Sequence, residues 1–475
     1  MDRDIDVTSL GDCALSYHTA RRTLNATVLF SWFALSNALD AGLHGVGVFA
    51  AGSSFEVCLF LRVLWLFFRR FPRFTAGLGF MFGLPLFLGQ VAFLILCLAG
   101  GVLRPGGEAD SGDDDAGISY GERVLLSERS LVFLFQPTEI GGVSTNDSEA
   151  FRQRIFGLPL IYAALFGCWA AYTVLIACLR LWRIKPACSQ LNYNVVTWSR
   201  ELHRPNLPWC LPKGRNAVGA AMIGGVMTVG FGAAGYFSWW CLQTGLLGPV
   251  PLLVAAGFWR FAFGMRNRFR RYLAVGASIV LEKDKRRFIV FLRSFTDDRR
   301  KAAPKFWSLL GRSPLSFEES LVRRASKSGP VLAIGRPNEK LPEVGAAREY
   351  VSDDLWQSRV AQWIDQCELT LLLVNSTSGL LWELSRFDTP ALRRKLCLVI
   401  SPGANKPNSE WKRFVVSAEN SEVGSKVSPI AGNDILLVTF DADDRTVVLR
   451  SHSTLGEHYD EALRTVFRLR ELQGK

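Results

Sequence analysis

The sequence predicts a two-part chain: an α-helical, multi-span membrane domain followed by an α/β domain whose parallel sheet is covered by helices on both faces. Three observations predict it. Residues from about 26 to 264 carry long apolar stretches of the length that a bilayer demands, about 20 residues each. Lys and Arg gather at the ends of those stretches, whereas the long polar loop 104–154 holds more acids than bases. From about residue 285 onward, short apolar runs alternate with amphipathic stretches, the signature of strands joined by helices.

The 475 residues divide accordingly. Residues 1–25 read as a cytoplasmic N-terminal segment, 26–265 as a transmembrane domain of about six helices, 266–286 as a basic connector and 287–475 as the α/β domain. The N-terminus starts acidic and lacks the basic-then-apolar order of a cleaved signal, so the first apolar segment is expected to stay. The stretches 74–102, 156–179 and 217–241 are clear spans, the last rich in small residues that let membrane helices approach closely. The stretch 245–264 is a fourth. Region 26–68 reads as a helical hairpin bent at "DAGLHG", with Glu56 and Arg62 inside its second arm. Ionisable residues at membrane depth are functional candidates, although an interfacial or helix-facing position explains both. The basic stretches 69–74, 180–215 and 266–272 belong inside and the acidic loop outside. That orientation makes the α/β domain cytoplasmic and the protein an integral membrane protein. Asp110 and Asp113 to Asp115 do not follow a calcium-loop spacing, and Asn146 heads a formal glycosylation sequon.

Composition excludes several classes. The net charge of +12 would suit nucleic acid, but the basic residues sit at span ends, so the expected surface partner is the lipid bilayer and no nucleic acid. Ten cysteines include no CxxC pair, and five histidines include no HExxH, so neither a disulfide framework nor a metal site is expected. GxxxxGK[ST], GxGxxG after a strand and GxSxG are all missing, which disfavours a P-loop ATPase, an ordinary dehydrogenase and a serine hydrolase.

In the α/β part, "RFIVFLRSF" (287–295), "PVLAIGR" (330–336), "LTLLLVNS" (369–376) and "KLCLVISPG" (395–403) read as strands, with a fifth at "DILLVTFDADD" and a hairpin partner at "RTVVLRS". Continuous apolar strands imply burial on both faces. "SFEESLVRRASKSG", "DDLWQSRVAQWIDQCE" (Leu355, Trp356, Val360 and Trp363 on one face), "SGLLWELSRF", "SEWKRFVVSAEN" and the C-terminal stretch read as helices. Open α/β sheets bind ligands beyond the carboxyl ends of their strands. That rule selects Arg293, Ser294 and Phe295; Gly335, Arg336 and Pro337; Asn375 to Gly379; Ser401 and Gly403. Glu383 follows one helical turn later, between Trp382 and Leu384. An acid there is either the exposed position of an amphipathic turn or the working acid of a site.

Over about 288–475 the chain resembles a TIR domain (Toll/interleukin-1 receptor type) of the kind carried by membrane-anchored bacterial proteins. Three segments carry the resemblance: the opening strand with its acids, "FIVFLRSFTDD"; the Pro/Gly loop "RPNEKLPEVGAAREY"; and "NSTSGLLWEL" after the third strand. The family's tryptophan usually precedes the glutamate by several residues, whereas Trp382 adjoins it here. The resemblance implies a flavodoxin-like parallel sheet and a place in the bacterial inner membrane. It also implies signalling or defence through self-association into a homo-oligomer. In active relatives the glutamate works in cleaving NAD, a role it assigns to Glu383, with NAD as substrate rather than cofactor. The chemistry is coherent: a carboxylate stabilises an oxocarbenium-like ribosyl centre, and the nicotinamide of NAD leaves without a strong general acid. Expected substrate contacts are Arg293, Ser294, Phe295, Arg336, Arg348, Trp356, Asn375, Ser376, Ser378, Gly379 and Trp382. Arg336 and Arg348 would take the pyrophosphate, and Trp356 or Trp382 would form an apolar wall. The alternative is a non-catalytic, nucleotide-sensing or self-assembly domain that controls a membrane pore or effector.

Overall fold

The computed structural model describes residues 3–40, 46–68, 70–102, 165–191, 194–202, 215–244, 249–274, 276–293, 317–335, 344–352, 354–402, 410–432 and 434–473. The acidic loop 104–154 with Asn146 lies outside them, as do the expected site residues Ser294, Phe295 and Arg336. The chain forms two compact units, Cys13–His203 and a second made of Met1–Asp12 with Arg204–Lys475.

The first unit is helical. It contains most of α1 (Thr8–Asp40), then α2 (Val46–Phe67), α3 (Pro72–Val102), α4 (Leu165–Arg183), α5 (Lys185–Gln190) and α6 (Val195–Leu202). Polar side chains inside it bond across helices: Thr23 and Thr173 share a 2.7 Å hydroxyl contact, and Thr27 donates to the Phe166 carbonyl at 3.1 Å. Such bonds satisfy hydroxyls that an apolar interior would leave stranded. Tyr17, Trp65, Phe68 and Trp198 form an aromatic cluster. Gly79 lets α3 approach α4, since a Cβ there would meet Cys178 Sγ at 2.8 Å. Glu56 and Arg62 are both exposed.

The second unit opens with a helix pair, α7 (Arg215–Thr244) and α8 (Pro249–Tyr272). Gly219 faces Tyr272, Gly224 faces Phe269 and Gly230 faces Ala262, so the two run antiparallel with glycines at the seam. Among the described residues, three helical segments are long and apolar enough to cross a membrane: Pro72–Ala92, Leu165–Arg183 and Val218–Tyr236.

An eight-stranded sheet follows, in the order β1-β8-β7-β6-β5-β2-β3-β4. The strands are β1 (Arg3–Asp6), β2 (Ile289–Leu292), β3 (Val331–Ile334), β4 (Ala347–Glu349), β5 (Leu369–Leu373), β6 (Leu396–Val399), β7 (Ile435–Phe440) and β8 (Thr446–Arg450). The run β6-β5-β2-β3-β4 is parallel, but β7 is antiparallel to both neighbours. The expected wholly parallel sheet is therefore corrected to a mixed, mainly parallel one. The cause is the hairpin at 441–445. Asp441 accepts the backbone N–H groups of Asp443 and Arg445, and Asp444 takes φ 58°, so β8 must return beside β7.

Two strands stand where loops were expected. β4 lies in the Pro/Gly loop, and β1 pairs in parallel with β8, Ile5 opposite Leu449. The N-terminal segment is thus an edge of the sheet rather than a separate tail. Strand residues alternate between two cores. Val290, Leu292 and Leu372 face one, closed by α11 (Trp356–Gln366), α12 (Ser378–Ser385), α14 (Glu410–Ala418) and α15 (Glu422–Val427). Ile289, Phe291 and Leu371 face the other, closed by α10 (Phe317–Ala325) and α16 (Gly456–Gln473). Helices cover both faces, as expected. Within α11, Val360 and Trp363 are core, but Leu355 is exposed and Trp356 only half-buried.

Candidate functional site

The strand order reverses at β2, whose chain continues to β3 on one side while β5 lies on the other. Leu292 and Leu372 are in register there, so Arg293 and the segment after Leu373 emerge side by side. This is the topological switch point where open α/β sheets hold ligands.

On one face of that edge stands α12. Its buried positions are Leu380, Glu383 and Leu384, and the stripe continues to Phe387 just past its end, the spacing of a helical core face. Glu383 therefore points into the apolar core and is not the exposed position of the turn. It is 9% exposed, and its Oε2 has no hydrogen-bond partner. Burial pushes its carboxyl up from the usual carboxylate range to about 8, because ionising it there forfeits hydration that nothing replaces. Trp382, next to it in the chain, meets Trp356 edge-to-face with ring centroids 5.0 Å apart, both packed on the same core. A Cβ on Gly379 would lie 3.9 Å from the Trp356 ring, so α12 begins against that tryptophan. Asn375 folds back locally and accepts the Ser376 N–H at 2.7 Å, while Ser376 and Ser378 are exposed.

On the opposite face lie the two described arginines of the expected set. Arg293 Nε is 3.2 Å from Glu318 Oε2, and Arg348 Nη2 is 3.5 Å from Glu318 Oε1. Their side chains are 3% and 1% exposed. Both are held by an internal carboxylate rather than presented to solvent. The expected site thus divides into Glu383, Trp356, Trp382 and Gly379 on one face, and Arg293 with Arg348 on the other, along one edge.

Sequence reasoning missed Glu318. It read "SFEES" as a helix start, which is right, since both acids stand in the first turn of α10. Only the fold reveals that Glu318 turns inward. It also missed a set of Ser451, His458 and Asp12, the first two buried and Asp12 partly exposed. His458 Nδ1 is 2.8 Å from Ser451 Oγ, and its Nε2 is 3.6 Å from Asp12 Oδ1. Ser451 is 2% exposed and His458 fully buried, so the set ties the first turns of α1 to the β8–α16 turn. Among the described residues no cluster of His, Cys, Asp and Glu could hold a metal.

No family model matches the chain, and no curated protein or solved structure is similar to it at a significant level.

Proposed function

We propose that the protein is a membrane-anchored, TIR-like signalling or defence protein that hydrolyses the nicotinamide–ribose bond of NAD with Glu383. The observation that carries this reading is Oε2 of Glu383, left without a hydrogen-bond partner on the core stripe of the helix that follows the third central strand. A purely structural position on that stripe is better filled by Leu, and a buried polar group without a partner calls for an explanation. Empty, the carboxyl stays protonated at neutral pH. A cationic nicotinamide ribosyl group beside it favours the carboxylate, which then stabilises the positive charge growing on the ribose as the C–N bond breaks. The bonding pair leaves with nicotinamide, water adds to the ribose carbon, and ADP-ribose and a proton result. The paired tryptophans keep water from that contact.

The membrane assignment rests on the three apolar helices and on the basic flanks of the apolar stretches. The sheet adds a parity argument. β1 and β2 belong to one sheet, and a sheet lies on one side of a membrane, so the chain between them crosses an even number of times. Three crossings would put them on opposite sides. Adding the long helices α1, α2 and α8 to the three apolar ones would give six, the number expected from the sequence. Orientation by charge supports a cytoplasmic sheet, and the resemblance to TIR-like proteins is what suggests a bacterial cell and a homo-oligomer that completes the pocket.

One observation favours a second reading, a nucleotide-sensing or assembly domain that controls the membrane helices. Arg270, near the end of α8, is ion-paired with Glu319 of α10 in the α/β domain. The discriminating experiment is nicotinamide release from NAD by the full chain in lipid nanodiscs, beside Glu383→Gln. The whole chain is needed because β1 is part of the sheet. Release by the parent and none by the variant supports the hydrolase. Release by neither, with both folded, rejects it in favour of the sensor.

A further inference from the structure

The first turn of α10 carries adjacent acids with separate partners. Glu319 pairs with Arg270 of α8. Glu318 points to the sheet edge, where three donors converge on its carboxylate. Arg293 lies at 3.2 Å, Arg348 at 3.5 Å, and the backbone N–H of Ala346 donates to Oε1 at 3.4 Å. Gly345 makes the approach possible, because a Cβ there would stand 2.4 Å from Oε1. Two guanidinium groups, a backbone N–H and the positive end of a helix around one anion are the parts of an anion-binding site. They surround the protein's own carboxylate, at the edge where open α/β sheets take ligands.

We propose that Glu318 is an internal stand-in for an anion, covering a site made by Arg293, Arg348 and the Ala346 N–H that binds a phosphate-bearing ligand once Glu318 withdraws. The ligand class follows from charge and shape. A phosphate presents two negative charges and several oxygens to two guanidinium forks, where a carboxylate presents one charge and two oxygens. A buried Arg–Glu–Arg group is not the cheapest way to fill a core, since apolar residues of similar volume often replace such groups with no loss of stability. Its retention suits exchange of one anion for another. The neighbouring pair holds the cover in place. Arg270 fixes Glu319, one residue from Glu318, and the backbone of Gly276, just beyond α8, bridges in parallel to Arg348. Withdrawal of Glu318 is thereby tied to the position of α8, and by linkage a bound phosphate must act back on that helix.

The test uses the full chain in nanodiscs of neutral lipid, titrated with inorganic pyrophosphate by calorimetry. Glu318→Gln keeps the shape and removes the competing charge. It should bind pyrophosphate about tenfold or more tightly than the parent, and a second change, Arg348→Ala, should erase the gain. Arg270→Ala, which leaves the three donors intact, should give a smaller gain of the same sign. A folded Glu318→Gln that binds no better than the parent overturns the proposal. If that variant does not fold, Arg270→Ala decides, and no gain there overturns it. Discs containing anionic phospholipid separate two sources of phosphate. A gain that survives them marks a soluble phosphate-bearing ligand, and a gain they abolish marks a lipid headgroup, either of which supports the site. Nicotinamide is not measured, so failure of the Glu383 chemistry leaves this result intact.

Discussion

Two buried glutamates stand along the same edge of the sheet, and their surroundings are opposite. Glu318 is 8% exposed and Glu383 9%, so burial alone does not separate them. Glu318 meets two guanidinium groups and a backbone N–H on one face. Glu383 shares the core-facing stripe of α12 with Leu380 and Leu384 on the other, and one of its oxygens has no partner. The difference teaches that partners, not depth, decide what a buried acid does. A matched acid has counter-charges that favour its ionised form, whereas burial without them favours the protonated one.

The sharpest way to break the contrast is to remove each acid in turn. If Glu383 works on a growing positive charge, Glu383→Gln should lower nicotinamide release by roughly 10²–10³-fold or more, with little change in NAD affinity. Steady-state kinetics on the full chain checks this, and an equal loss in Glu318→Gln would erase the contrast. Glu318→Ala should destabilise the fold by about 3–5 kcal/mol, because two buried guanidinium groups lose their counter-charge. Denaturant unfolding measures that.

The unmatched acid should show itself in pH. Glu383 holds its proton up to about pH 8 in the folded protein, while the unfolded chain loses it near the ordinary value of 4.5. The folded state binds the extra proton between those values, so Glu383 makes stability fall as pH rises from about 4.5 to about 8, and the loss levels off above. Its size is on the order of 3–5 kcal/mol. Glu383→Leu should remove that part of the slope and be the more stable protein at pH 8. Parallel slopes for parent and variant would mean that the acid finds a partner in solution. The smallest effect is expected at the periphery. Arg270→Ala breaks a partly exposed pair and should cost about 1 kcal/mol or less, whatever it does to pyrophosphate binding.

Much of this arrangement was legible in the sequence. The five strands β2, β3, β5, β6 and β7 are apolar runs, and the β8 hairpin partner and α10, α11, α12, α14 and α16 follow from periodicity and turn residues, whereas α15 was not read. Glu383 was legible as a candidate because it follows a strand end, but not as a core residue, since "WEL" reads equally as an exposed turn. β1 was not legible. "RDID" is four residues with three charges, and it becomes a strand only because β8 offers an open edge. β4 is three residues inside a loop-like stretch and depends in the same way on β3. Glu318 shows the same limit for side chains. Its place in the first turn of a helix is local information, whereas its arginines come from β2 and β4, brought together only by the sheet.

Strand β1 also sets a clock on biosynthesis. Its partner residues are separated from it by nearly the whole chain, Ile5 against Leu449. At a synthesis rate of about 5–20 residues per second, the N-terminal strand waits roughly 20–90 s after it is made before β8 exists to receive it. In that interval it is an unpaired strand, open to mispairing, and its charges Arg3, Asp4 and Asp6 suit it to wait, because charged strands resist joining the wrong edge. β8, made after every other strand of the sheet, therefore closes it on β1, the first of them.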